Sequence, residues 1–329
     1  MALSCRERQE RIEVEILQPV DRFVNQLQER CETEACKWWM LCLNKLVCWL
    51  SWVVVKICEW VLMLVFRWVY LIFCVVISLV IGILAVFIGN FDLLGQALTD
   101  LVQFIKDAFF FVLGGILYVG SNLIDFILTG LNLQDKKRPL TKEEIAVLRT
   151  IFGDSIWYPQ IRVNEGRIGI YGPPFANKPG ATTIGYNIYF RSPVNIVTLV
   201  HECVHIWQFQ FGGAHYMGQS VVYQSLFSAG LTGSPYFWET MIGTGTNSWY
   251  MLESVEAQAE FIMDLFSFGR FIPANDQLVT EEGNGAFFKT GSDGRNEFLF
   301  SRDTQGNGSN QGADFTAIAN RAWQTIQVG

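Results

Sequence analysis

Charge is scarce in this sequence, and basic charge is scarcer than acidic charge. Of the 329 residues, 17% are charged, and 24 Lys and Arg stand against 31 Asp and Glu, for a formal net charge of −7. A nucleic-acid ligand requires clustered Lys and Arg, which displace counterions from the phosphates. We therefore exclude nucleic acid as the main ligand.

Cysteine is almost absent from the second half of the chain, and histidine is rare throughout. Seven of the eight Cys precede residue 75, so Cys203 alone follows them, and the chain has three His. An internal disulfide is therefore excluded from residues 135–329. Between residues 34 and 77 we expect the Cys to act as small hydrophobic residues rather than as metal ligands or acylation sites.

Hydrophobic residues make up half of the chain, and they are concentrated before residue 134. Residues 1–37 predict a polar, amphipathic helix, and residues 38–134 predict a hydrophobic helical region. Residues 68–88 lack charge and would form a helix of ~32 Å, close to the ~30 Å hydrocarbon core, so they are the principal transmembrane candidate. Residues 108–124 predict a second span, a re-entrant segment or a helix that covers the next domain.

An 11-residue repeat runs through residues 34–77. Lys45, Lys56 and Arg67 recur at this spacing, which is about three helical turns and places them on one straight stripe. A lone helix spanning lipid would bring at least one of these charges near the bilayer centre, at a cost of ~2.5 to 3.5 kcal/mol. We therefore expect residues 38–67 to lie in the membrane interface or to assemble with copies of the chain or with partners that bury the stripe. A homo-oligomer would then form through residues 34–77.

A linker-like segment, residues 132–140, separates the halves, and residues 135–329 predict a second domain of helices and short strands. Thr141 and Glu144 form a capping-box pattern at the start of a helix that ends near Phe152. The remaining expected elements are strands at 161–163, 167–171 and 182–190, helices at 194–211, 248–268 and 314–327, and a loop at 283–312.

The helix expected at 194–211 carries the sequence His201-Glu202-Cys203-Val204-His205, an H-E-x-x-H pattern. Residues i and i+4 lie one turn apart on the same helix face, so both imidazoles can reach a single Zn²⁺ ion. Glu202 then lies beside the water that attacks the substrate. The pattern uses two of the three histidines of the chain.

A zinc site of this type requires a third protein ligand and leaves one position open. In the helix expected at 248–268 we assign Glu256 as that ligand, with Glu253 as the alternative. Glu260 lies one turn after Glu256 and is expected to support a ligand histidine through a hydrogen bond. A hydrolytic site also needs a group that stabilises the negative oxygen formed in the reaction. His215, Tyr223 and Tyr250 are the candidates, and none of them is assigned.

His201, Glu202, His205 and the Glu256-x-x-Ala-Glu pattern resemble a gluzincin metallopeptidase, and residues 140–270 are similar to zincin domains of bacterial toxin and contractile injection system cargo proteins. The resemblance implies an α+β zincin-like catalytic domain, a Zn²⁺ cofactor and metal-assisted hydrolysis with Glu202 as the catalytic base. It also implies that the strand from Thr183 to Phe190 pairs with an extended substrate. Glu260 occupies a position where the family commonly has Asp.

These patterns predict a membrane-associated zinc metalloendopeptidase, secreted or injected as a bacterial effector. The expected partners are a protein or peptide substrate, membrane lipids and a delivery apparatus. The alternative is a pore-forming or membrane-disrupting protein whose zincin module is structural or inactive. A resident housekeeping membrane protease is a third hypothesis, less favoured because its motif would normally lie in a membrane helix.

Overall fold

The chain divides into two compact units. The computed structural model describes residues 43–87, 91–130, 137–165, 180–191, 193–241, 254–267 and 315–328, with Leu252, parts of 20–31 and short strands between 273 and 298. Unit 1 contains residues 1–124 and 209–218, and unit 2 contains residues 125–208 and 219–329.

Unit 1 is built mainly from two long helices, α1 (Leu43–Phe87) and α2 (Phe91–Gly130). The described residues between 20 and 31 are also helical. These elements agree with the helical region predicted for residues 38–134. Large apolar side chains are exposed along most of α1, among them Val61, Val69 and Ile83.

One helix of the described residues is long and apolar enough to cross a membrane, judged by length and composition. It is Leu101–Asp125, with a mean hydropathy of 1.6 and 28% of its most apolar window buried. The predicted second segment, residues 108–124, lies within it. Residues 68–87 of the predicted principal span are helical within α1, where Val75–Leu84 forms a shorter apolar stretch. The membrane crossing of residues 68–88 is still a prediction.

Lys56, a member of the cationic stripe predicted along α1, is buried within unit 1. Its Nζ atom lies 2.9 Å from Glu59, 5.0 Å from the centre of the Tyr118 ring and 5.6 Å from that of Phe209. The charge is thus balanced by a carboxylate one turn away and by two aromatic faces. Side chains of α1 and α2 and of residue 209 thus enclose this charge within unit 1, and assembly with copies of the chain stays a prediction.

A disulfide joins Cys31 to Cys48 and closes a loop of 17 residues in unit 1. Cys48 was expected to pack as a small hydrophobic residue, so this covalent bond was not predicted from the sequence. Val24 and Trp52 are buried together with Cys31 in a small core. The disulfide therefore fixes the described part of residues 20–31 to the start of α1.

Helix α2 approaches the segment 214–218 closely within unit 1. A Cβ atom built on Gly114 would lie 1.8 Å from the carbonyl oxygen of Ala214, and one on Gly218 would lie 2.1 Å from that of Phe110. Only glycine at both positions allows the two backbones to come this near. This approach is a packing constraint that the sequence analysis did not detect.

Unit 2 contains a four-stranded sheet beside the helices. The strands β1 (Arg138–Pro139), β2 (Arg162–Asn164), β3 (Ala181–Ile184) and β4 (Asn187–Phe190) have the order β1-β2-β4-β3. Strands β3 and β4 form an antiparallel hairpin, and β2 is parallel to β4. Among the described strands, β3 therefore forms one edge of the sheet and β4 lies inside it.

The single strand expected over residues 182–190 is wrong, because a turn at Gly185 and Tyr186 divides it into β3 and β4. Gly185 has a φ of 59°, a left-handed conformation that glycine adopts at little cost. The expected strand at 161–163 is confirmed as β2. Residues 167–171 lie outside the described residues.

The helices of unit 2 pack with the sheet around an apolar core. They are α3 (Lys142–Phe152), α4 (Ile196–Gly212), whose residues from Phe209 belong to unit 1, α5 (His215–Ser228, with 219–228 in unit 2), α6 (Trp238–Met241), α7 (Val255–Ser267) and α8 (Thr316–Val328). The capping box of Thr141 and Glu144 is confirmed at α3. The core includes Leu148, Ile188, Phe261 and Trp323.

Other boundaries differ from the sequence expectations. Helix α7 begins at Val255, because Ser254 accepts a hydrogen bond from the Glu256 backbone and starts the helix there. Helix α5 was not predicted at all. Short strands β5 to β9 lie at 273–274, 277–278, 284–285, 288–290 and 296–298, so the expected loop at 283–312 contains a small sheet in its described part.

The close approach at Gly114 generates a stability prediction. We expect Gly114→Ala to lower the free energy of unfolding by ~1 to 3 kcal/mol, because the added methyl group overlaps the Ala214 carbonyl. Gly120→Ala in the same helix is the matched control, since nothing lies within 4 Å of its Cβ position. Thermal unfolding in detergent would compare the two variants, and equal melting temperatures would contradict this packing.

Candidate metal centre

The H-E-x-x-H residues lie on a helix of unit 2 that is largely buried. Helix α4 begins after Asn195, whose side-chain oxygen accepts a hydrogen bond from the Val197 backbone at 2.8 Å. His201, Glu202 and His205 are all at most 7% exposed. The two imidazole rings lie 5.0 Å apart, with their planes nearly perpendicular. The helical spacing therefore orients both rings to one side, as predicted.

Glu256 of helix α7 completes a cluster of three donors. Its Oε2 atom lies 3.3 Å from Nε2 of His201 and 3.3 Å from Nε2 of His205. One donor atom from each residue lies within 4.8 Å of the other two, and all three side chains are buried. The structure thus brings the predicted ligand set together, whereas Glu253 lies outside the described residues.

The opposite nitrogen of each imidazole contacts a hydrogen-bond acceptor. Nδ1 of His201 lies 3.0 Å from Glu260, and Nδ1 of His205 lies 2.7 Å from the side-chain oxygen of Gln208. Each Nδ1 therefore carries a proton, so Nε2 is the nitrogen of each imidazole that faces Glu256 and can bind a metal ion once it has lost its own proton. Glu260 occupies the supporting position that the sequence predicted, and Gln208 supports the second histidine.

The pKa values of the three donor residues depend on one another. Burial lowers the pKa of His201, but hydrogen bonds to Glu256 and Glu260 outweigh this effect and raise it to about 10. Burial also lowers the pKa of His205, and the charge of Glu256 raises it above the usual value. Burial raises the pKa of Glu256, but the two histidines hold it well below its usual range. Two imidazoles and one carboxylate suit a metal ion such as Zn²⁺.

Glu202 points to strand β3 rather than to the other acids. Its Oε2 atom accepts a hydrogen bond from the Thr183 hydroxyl at 2.8 Å. Burial raises the pKa of the Glu202 carboxyl, although the charges of His201 and His205 partly oppose this effect. A carboxylate whose pKa is raised in this way is a stronger base than an exposed one. Glu202 is therefore suited to accept a proton beside the donor cluster.

Tyr236 is a site residue that the sequence analysis missed. Its ring lies 6.3 Å from the ring of His201. Burial and the neighbouring carboxylates raise the pKa of the Tyr236 hydroxyl, so it stays protonated and can donate a hydrogen bond. Three residues were considered in the sequence as oxyanion stabilisers. Of these, His215 lies 3.3 Å from Asp107 in unit 1, and Tyr250 lies outside the described residues.

Gln208, Ser220 and Gln224 were also missed. Gln208 lies three residues after His205 on the same helix face, so the helical period could have found it. Ser220 and Gln224 hydrogen-bond to Glu256, but they belong to helix α5, which the sequence did not predict. Nothing in the local sequence connects that helix to the donor cluster.

Proton release provides a test of the metal centre. Because the pKa of His201 is raised to about 10, its imidazole holds an extra proton near neutral pH, and a metal ion must displace it. Zinc binding should therefore release protons, and zinc affinity should increase from about pH 6 to about pH 8. Calorimetry in buffers with different ionisation enthalpies measures this release. A binding enthalpy that does not depend on the buffer would contradict the protonated cluster.

No family model, curated protein or solved structure matches this chain. The resemblance carried by His201, Glu202, His205 and Glu256 therefore depends on these residues and their arrangement alone. They form a buried group that could hold a metal ion.

Proposed function

We propose that this protein is a membrane-associated, gluzincin-type zinc metallopeptidase that hydrolyses peptide bonds as a bacterial effector. The observation that carries the proposal is the convergence of His201, His205 and Glu256 beside the buried carboxylate of Glu202. Three protein donors leave a position open in a four-coordinate zinc site, which is the arrangement that hydrolytic zinc sites use.

His201 and His205 would hold Zn²⁺ through their Nε2 atoms, and Glu256 would hold it through Oε2. When bound, Zn²⁺ supplies Lewis-acid chemistry, which lowers the pKa of a water molecule and polarises the scissile carbonyl. Glu260 and Gln208 keep the two imidazoles in the required tautomer through their contacts with Nδ1.

Glu202 acts as the general base and then as the general acid. Its carboxylate accepts the proton of the attacking water and transfers it to the nitrogen of the leaving amine. The Thr183 hydroxyl holds one carboxylate oxygen, so the other oxygen is available for this transfer. The protonated hydroxyl of Tyr236 is the described group best suited to donate a hydrogen bond to the developing oxyanion.

The substrate would bind along β3 as an additional strand. From the sequence, the whole segment from Thr183 to Phe190 was expected to pair with the substrate. Strand β4 already pairs with strands on both sides, so only Thr183 and Ile184 in β3 are left for this pairing. An extended peptide pairs its backbone with an exposed strand edge. Thr183 contacts Glu202, so a peptide at this edge would lie near the base.

The membrane association proposed here depends on unit 1. Exposed apolar side chains cover much of α1, and Leu101–Asp125 has the length and composition of a membrane span. Apolar surface of this extent is expected to enter lipid or to bind a partner. The same surface favours the second candidate function, a membrane-disrupting protein whose zincin-like unit does not catalyse.

Removal of individual ligands tests the metal assignment. We expect His201→Ala and His205→Ala to abolish stoichiometric zinc and Glu256→Ala to weaken it severely, since each supplies one of three donors. Glu253→Ala is the matched control and should keep zinc. Metal analysis of the purified full chain measures all four variants. Full zinc retention in Glu256→Ala with loss in Glu253→Ala would reverse the ligand assignment.

Glu202→Gln separates catalysis from metal binding. The amide keeps the size of the side chain but cannot accept the proton of the attacking water. We expect this variant to retain zinc and the melting temperature and to lose peptide hydrolysis, with kcat/KM reduced by at least ~100-fold. Proteome-wide cleavage products from the wild-type and variant chains would measure the loss. If damage to target cells continued unchanged in Glu202→Gln, the membrane-disrupting function would replace the peptidase.

A further inference from the structure

One oxygen of Glu256 is occupied by side chains that no zinc motif includes. Its Oε1 atom accepts hydrogen bonds from the Ser220 hydroxyl and from the Gln224 amide, the latter at 3.0 Å. The two donors lie four residues apart on helix α5, so they share one face of that helix. Both are half-buried, whereas Glu256 is 4% exposed.

The direction of these hydrogen bonds follows from the donors available. The Gln224 amide donates one proton to the Ser220 oxygen at 3.0 Å and the other to Glu256. The single proton of the Ser220 hydroxyl is then left for Glu256. Two donors therefore use the lone pairs of Oε1, while Oε2 faces the two imidazoles at 3.3 Å.

A carboxylate binds a metal through one oxygen or through both, and the difference decides how many positions stay open. If both oxygens of Glu256 bound the ion, the protein would supply four donor atoms and fill a tetrahedral site. With Oε1 already hydrogen-bonded, only Oε2 is available. Ser220 and Gln224 thereby act on the metal through Glu256 without contacting it.

We propose that Ser220 and Gln224 are positioning residues that restrict Glu256 to binding the metal through Oε2 alone and so preserve the open position. This inference rests on the proposed metal site. Partners that orient a metal ligand commonly contribute 10- to 100-fold to metal affinity. The supporting groups on Glu256 would then match those that Glu260 and Gln208 supply to the histidines.

The test uses the full chain in detergent and reads the metal directly. We expect the double variant Ser220→Ala/Gln224→Leu to bind zinc ~10- to 100-fold more weakly in chelator competition. The Co²⁺-substituted protein should also lose the intense visible bands of four-coordinate cobalt, because the freed carboxylate can use both oxygens. Ser220→Thr keeps the hydroxyl and should retain both properties. Ser225→Ala, an exposed position on the same helix, is the matched control.

The possible results separate this inference from the proposed function. Circular dichroism first establishes that each variant is folded. If the double variant is unfolded, the same two measurements are made on the single variant Ser220→Ala. A folded variant with wild-type zinc affinity and an unchanged cobalt spectrum overturns the positioning role, as does an equal loss in Ser225→Ala. A wild-type chain without zinc overturns the metal site itself. A chain that binds zinc in this Ser220-dependent way but cleaves no peptide overturns only the peptidase function.

Discussion

The convergence of three lone-pair donors in a space of low solvent exposure is the constraint on which unit 2 depends. Hydrogen bonds to Glu256 and Glu260 raise the pKa of His201 to about 10, so a proton and a metal ion compete for the Nε2 atom of this histidine. Each donor residue also makes a hydrogen bond through the atom that faces away from the cluster, as His201 does with Glu260 and His205 with Gln208. These contacts hold the donors in a fixed arrangement, so a metal ion would meet an organised site.

Helix α4 positions two donors and the base because of its regular period, whereas helices α5 and α7 supply the rest through packing. Thr183 extends the same network to strand β3 through Glu202. A peptide that paired with this edge would thus lie beside the base. The contact between strand and helix is what couples substrate binding to proton transfer in the proposed function.

Unit 1 follows a different physical rule, because its helices expose apolar side chains and bury a charge. Lys56, a member of the 11-residue repeat, is enclosed by Glu59 and two aromatic rings. A buried ion pair is expensive to desolvate, so it is stable only where packing supplies partners on all sides. Periodicity places residues on one helix face but does not say what that face contacts.

The sequence by itself determined the features that helix geometry sets locally. The i to i+4 spacing placed His201 and His205 together, and the capping box placed the start of α3, because both depend on residues within one turn. The tertiary structure alone decided the contacts between distant segments. Gly185 divides a strand, and Ser220 and Gln224 reach Glu256 from a helix that the sequence did not reveal. Such contacts depend on how whole elements pack, and no local pattern encodes them.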